Sequence, residues 1–266
     1  MSDLIYEVQE GVGVVTLNSP STLNALTGEM ISLWAECLEQ ARLDPTVRTV
    51  VVTGAGRGFC SGMNVKARAH EQSSGRDQHG ALDSYGHLRN GVHRVARAVR
   101  ALDKPYIAAV NGPAAGAGMD MASMADIRFA GESARFVMAY VRVGLIPGDG
   151  GCYYLPRIIG MARALDLMWT GRPLVPEEAA RMGYVLKVIP DADLLAEAIG
   201  YARQLARGPA VAIQQIRRLA YQSQECEHDL ALSLAESAMF VVQQTEDAKE
   251  GPRAFAERRQ PQFQGR

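Results

Sequence analysis

No stretch of about 18 uninterrupted apolar residues occurs in this chain, so no segment has the length expected of a membrane-spanning helix. The first residues, MSDLIYEVQEG, lack a basic segment leading into an apolar run, and the expectation is a soluble, unexported protein. An excess of one charge is also missing. Lysine plus arginine (28) nearly balance aspartate plus glutamate (29), which removes any broad electrostatic reason to bind nucleic acid or an anionic membrane. Cysteine is scarce and scattered: Cys37, Cys60, Cys152 and Cys226 show no metal-type pairing and no disulfide framework. Reduced thiols in the cytoplasm fit best, each as a small packing residue. Neither GxGxxG nor a P-loop occurs, which removes the main argument for a nicotinamide, flavin or ATP enzyme.

What remains is a chain of 266 residues, 47% hydrophobic, within the size of one large domain or one domain with a helical appendage. Residues 5 to 17 alternate around Gly11 and Gly13, which predicts a short hairpin. After Thr27, Met30, Leu33, Trp34, Cys37, Leu38 and Ala41 keep a helical period that Asp44-Pro45 ends. A strand at Val47 to Thr53 follows. A polar stretch carrying His70, His79 and His87 then precedes a helix with Leu88, Val92, Val95, Val99 and Leu102 on one face, and reads as a flap. These histidines, with His93, have no metal-site spacing, so no metal is expected. Short strands near Tyr106, Ile127 and Phe136 return with helices between them, a pattern of a parallel spiral rather than one flat sheet. Beyond Pro190 the chain reads as helices to about Arg207, after Pro209, from about Cys226 to Gln244, and before the RRQPQFQGR tail.

Two glycine-bearing segments each follow an apolar strand directly: TVVVTG runs into AGRGFCSGMN, and PYIAAV into NGPAAGAGMD. Each reads as strand, tight loop, helix. A helix start leaves N–H groups unpaired, and small residues let a ligand approach them, so two such junctions can grip one anionic oxygen from two sides. That is an oxyanion hole, often the largest single catalytic contribution. Either loop alone also fits close strand-to-helix packing with no ligand.

With NSPSTLNALT, GFCSGMNVK, AAVNGPAAGAGMDMASMADIRFA, ARFVMAYVRVGLIPGDGG, LPRIIG and WTGRPLVPEEAARMGYVLKVI in that order, the chain resembles the enoyl-CoA hydratase/isomerase (crotonase) superfamily over about 190 residues. The resemblance implies an α/β fold: a crotonase-type spiral of repeated ββα units over residues 1–190. It also implies a C-terminal helical region, 191–266, that covers an active site and contributes to trimer contacts, giving a homotrimer or a dimer of trimers. It implies an acyl-CoA thioester substrate, with coenzyme A entering as part of the substrate and no separate cofactor.

By the same resemblance, the backbone N–H groups of Met63 and Ala117 form the hole for the thioester oxygen. Ala117 stands where the family usually has glycine, so its backbone must adopt an ordinary, negative-φ conformation. Asp120 matches one of the two glutamates of typical hydratases. Its own surroundings point the same way, for desolvation resists ionisation there while the helix start favours it; a buried capping aspartate is the plainer alternative. Tyr140 falls where the second glutamate would be. A phenol is a poor base at neutral pH, so it donates a hydrogen bond, lines the pocket or simply packs. Asp149, in IPGDGG, is expected to fill the vacancy, against the alternative of a turn residue or N-cap. Asn24, Ala25 and Leu26 resemble the segment along the CoA cleft, with contacts largely through backbone, and Lys66 and Arg57 are candidates for the CoA phosphates. The reading is water addition to a 2-enoyl-CoA. Double-bond isomerisation is the nearest rival and thioester hydrolysis a more distant one, while an RNA-binding or scaffold role is disfavoured by the balanced charge and the pocket carboxylates.

Overall fold

The computed structural model describes residues 2–63 and 88–266. β1 (Leu4–Gln9) and β2 (Val12–Leu17) pair antiparallel, Gln9 opposite Val12, around a two-residue turn. Glu10 and Gly11 both take positive φ there (49° and 80°), the backbone twist that a tight hairpin requires. α1 (Gly28–Leu43) starts where Thr27 accepts the Met30 N–H through its hydroxyl, and it buries Met30, Ile31, Trp34, Ala35, Leu38 and Ala41. Chain reversal at Asp44-Pro45 leads into β3 (Thr49–Gly54), which starts two residues later than the apolar run suggests.

β3, β4 (Tyr106–Val110), β6 (Ile127–Gly131) and β9 (Lys187–Ile189) continue the sheet in parallel, giving the order β1-β2-β3-β4-β6-β9. A second sheet joins β5 (Pro113–Ala115), β7 (Arg135–Val137) and β8 (Pro173–Leu174). Cys60 bridges to Ala114 and so extends it. The chain thus steps repeatedly from a strand of the first sheet to one of the second, then through a helix back to the first. This is the crotonase-type spiral expected from the sequence.

Because side chains alternate along a strand, each central strand feeds two cores. Val50, Val52, Tyr106, Ala108 and Val110 face the main core between the sheets, with Trp34, Phe59, Phe136 and Tyr184. Val51, Ile107, Ala109 and Phe129 face the other way and are covered by Leu194, Ala198 and Ala202 of α7 (Leu194–Ala206). The run VVV in β3 is therefore apolar throughout because both of its faces are dry. Among the described residues the remaining helices are α2 (His93–Ala101), α3 (Ala117–Ser123), α4 (Gly151–Ile159), α5 (Met161–Thr170), α6 (Pro176–Met182), α8 (Ala210–Gln222), α9 (His228–Gln243) and α10 (Glu246–Ala256).

α8 is tied to the core by polar contacts: Arg217 Nε and the Tyr221 hydroxyl donate to the two oxygens of Asp126 at 2.8 and 2.7 Å, and Asp126 also accepts the Tyr106 N–H. α9 buries only Ala238 and leaves Leu230, Leu232, Met239 and Phe240 more than half exposed.

Candidate active site

The two glycine junctions meet at the ends of β3 and β4. Ala115 N donates to Cys60 O (3.0 Å), Phe59 N and Cys60 N donate to Pro113 O, and Gly116 N donates to Val137 O (2.8 Å). Gly62 (φ 89°) lies so close that an added Cβ would sit 2.5 Å from Ala115 O and 3.4 Å from Ala117 N. A Cβ at Gly118 would run into the Cys60 carbonyl. Glycine at both positions is what lets the loop before Met63 lie against the start of α3. Gly116, not Ala117, takes the positive φ (51°), so alanine at 117 keeps ordinary helical geometry. Leu26 N donates to Gly62 O at 2.8 Å and leaves the Met63 N–H out of the pairing. Among the described residues neither the Met63 nor the Ala117 N–H donates a hydrogen bond, and Ala117 N is an N-terminal helix donor by position.

One turn into α3 lies Asp120, with no exposed surface. The Tyr140 hydroxyl is 2.7 Å from Asp120 Oδ2 and 2.7 Å from Asp149 Oδ2. Tyr140 belongs to a 3-10 turn, Ala139–Val143, and Asp149 to the loop before α4, so three elements converge on one phenol. Asp149 is itself buried. The N-cap of α4 is Gly150, at φ 128° with no side-chain cap, so Asp149 is neither an N-cap nor an exposed turn residue.

Burial pushes the Asp120 carboxyl up to about 8. The Tyr140 hydrogen bond opposes that rise, the charge of Asp149 adds to it, and the peptide N–H groups of Gly151 and Asp149 oppose it. Those N–H groups close no hydrogen bond on Asp120 Oδ1, which is buried without a partner among the described residues. Burial likewise drives the Tyr140 phenol far upward, with both carboxylates adding to the effect, so it remains a hydroxyl.

Two positions near this cluster were not singled out by motif. Gly151 presses on Asp120 and Pro147, and a Cβ there would strike the carboxylate. His93, at the start of α2, donates from Nε2 to the Gly148 carbonyl at 2.8 Å and so ties α2 to the Asp149 loop. The signal for His93 lies in tertiary packing, since 55 residues separate the partners.

Asn24 is fully buried at φ 56°, and its side chain is consumed by the fold: Oδ1 accepts Ser19 N (2.8 Å), and Nδ2 donates to Ala55 O (3.0 Å) and Gly58 O (2.8 Å). Ala25 and Leu26 are buried as well. Whatever this segment offers a ligand it offers through its main chain. Arg57 is exposed on the loop after β3. Lys66, His70, His79 and His87 lie outside the described residues. Among the described residues no group of three His, Cys, Asp or Glu is placed to hold a metal ion, and no helix is long and apolar enough to cross a membrane.

A spiral of strand pairs and helices, with its two glycine junctions packed together beside a phenol-bridged carboxylate pair, has the architecture of a crotonase-fold enzyme. The model of the enoyl-CoA hydratase/isomerase family matches residues 7–266, and the chain belongs to that family. It is 37% identical to the 1,2-epoxyphenylacetyl-CoA isomerase of Escherichia coli (strain K12), covering the whole of both chains. It is 36% identical to an enoyl-CoA hydratase of Mycobacterium tuberculosis (strain H37Rv), over 99% of this chain and 97% of the relative. Among solved structures, an enoyl-CoA hydratase from Polaromonas sp. JS666 superposes with a TM-score of 0.91 at 30% identity, covering 98% of this chain and 99% of the other.

Proposed function

We propose that this protein acts on an acyl-CoA thioester, holding the thioester oxygen between the Met63 and Ala117 N–H groups and moving protons with Asp120 and Asp149. The observation that carries the reading is the placement of Asp120 on the same helix as the unpaired Ala117 N–H, in contact with Tyr140 and, through it, Asp149. Negative charge developing on the thioester oxygen would meet two preorganised donors, and a proton would move at the adjacent carbon. Asp120, held neutral by burial, is suited to give a proton, and Asp149 to take one. An acid and a base side by side are what water addition to a 2-enoyl-CoA requires. Asn24 to Leu26 would line the CoA through backbone, with Arg57 and Lys66 toward its phosphates. No cofactor beyond the CoA of the substrate enters this reading.

Isomerisation is the second reading, supported by the relative of the same length that is named an isomerase. Incubation with 2-enoyl-CoA esters in oxygen-labelled water separates the two: label at the β-hydroxyl supports hydration, and carbon–deuterium exchange in heavy water without oxygen incorporation supports isomerisation. A broad panel of CoA esters left unchanged would refute both.

We further propose a cytoplasmic homotrimer, alone or paired into a hexamer, in which residues 191–266 act largely as an assembly and cover region. The half-exposed apolar residues of α9 supply the surface for it. A full-length protein that sediments as an active monomer would refute the assembly.

A further inference from the structure

The phenol of Tyr140 has one hydrogen and lies 2.7 Å from an oxygen of each of two buried carboxyl groups. It can donate that hydrogen to only one of them in a linear bond. The other contact is a hydrogen bond only if that carboxyl carries a proton and donates to the phenol oxygen. Two ionised carboxylates crowded against one hydroxyl would instead repel each other in a site with little water. Asp120 is the better holder of the proton. It has no exposed surface, its Oδ1 has no partner among the described residues, and Gly151 packs directly against it.

We propose that Asp120, Tyr140 and Asp149 form a relay that shares one proton: Asp120 holds it at rest, and Tyr140 passes it from Asp149 back to Asp120 after each turnover. This deepens the acid–base reading above and rests on it for the turnover step. In the resting arrangement Asp120 donates to the Tyr140 oxygen while Tyr140 donates to ionised Asp149. During reaction Asp149 takes a proton from water or from substrate carbon, and Asp120 gives its proton to substrate. The site is then left with protonated Asp149 and ionised Asp120. Asp149 next gives its proton to the phenol oxygen as the phenol gives its own hydrogen to Asp120. No proton is gained or lost, no electron pair leaves the trio, and the resting arrangement returns without solvent entering. Tyr140 acts through the two carboxyls and is a positioning residue.

Among the described residues, few titratable groups face Asp120. Tyr140 comes from the 3-10 turn, Asp149 from the loop, Cys152 from α4 and Tyr184 from the segment after α6, and burial raises the Cys152 thiol and the Tyr184 phenol above their ordinary values. Neither is charged at neutral pH, so among the described residues the proton count of the site is set by the trio.

Infrared spectroscopy of the full-length resting protein tests the sharing without any substrate. At about pH 7 a protonated-carboxyl stretch is expected in the wild type, absent in Asp120→Asn and shifted in Tyr140→Phe, which keeps the ring and removes only the hydroxyl. Absence of that band in the wild type, or a band that Tyr140→Phe leaves in place, overturns the proposal. With an active CoA ester, Tyr140→Phe should lower kcat about 10-fold or more with KM little changed. Its dependence on deuterium content of the solvent should also change from curved, several protons moving together, to linear. An unchanged kcat and an unchanged solvent dependence refute the relay even if the band is found. If the wild type turns over no CoA ester, the proposed function fails, and the infrared result alone decides whether the proton is shared.

Discussion

Replacing Asp120 by asparagine should make the fold increasingly more stable than the wild type as the pH rises, while removing activity. The wild-type carboxyl titrates near 3.8 when the chain is unfolded and at about 8 in its buried place. The sign follows from proton counting. Between these values the folded protein holds a proton that the unfolded chain has released, so raising the pH favours unfolding through this one group. Below about pH 4 both states are protonated and the group contributes no pH dependence. Above about pH 8 both are ionised, and the full cost of burying the charge is present. Within the window the wild type should lose about 1.4 kcal/mol per pH unit from Asp120. The asparagine variant, uncharged throughout, should lose none. From about pH 5 to about pH 7.5 its stability relative to wild type should therefore rise by roughly 3 kcal/mol, an upper value because solvent rearrangement and the Asp149 partner soften the titration. Urea unfolding of both proteins at several pH values and one fixed protein concentration reads the difference directly. A difference that stays constant across that range would refute the assignment of a proton to Asp120 in the folded protein.

Asp149→Asn should lower kcat by about 100-fold or more and leave KM within a few-fold, measured by steady-state kinetics on a responsive CoA ester, because shape is kept and basicity is not. Ala117→Pro removes the proposed donor without changing a side-chain role and should cost about 2.7 to 4 kcal/mol of transition-state stabilisation. Circular dichroism must show the helix content retained, and a folded, fully active variant rejects that N–H. Asn24→Ala should destabilise the fold by roughly 2 to 4 kcal/mol in urea unfolding, since it strands the part-buried Ser19 N–H and Ala55 carbonyl and breaks the buried bond to the Gly58 carbonyl; a loss below about 0.5 kcal/mol would mean water replaces the amide.

Local rules carry a good deal of this protein. Thr27, the apolar period after it and Asp44-Pro45 specify α1 because capping and helical repeat act within a few residues. Glu10-Gly11 specifies the first hairpin because a two-residue turn needs positive φ. The glycine junctions are equally legible, since close approach of backbone excludes a Cβ whatever surrounds it. The strand and helix succession from Tyr106 to Val137 likewise declares a spiral, and the ordered motifs place the chain in its family. What the tertiary structure alone decided is how these pieces meet. Asp120, Tyr140 and Asp149 come from a helix, a 3-10 turn and a loop, and no periodicity relates their positions to one phenol. Asp149 reads locally as turn chemistry. Only the packing of its loop beneath α2 and beside α3 buries it. Asn24 is turned inward by partners 31 and 34 residues away, and α7 joins the central sheet because the second face of VVV needs cover. In each case burial sets the chemistry, and burial is a property of the whole fold: it fixes which carboxyl keeps its proton, a choice that two aspartates in a sequence leave open.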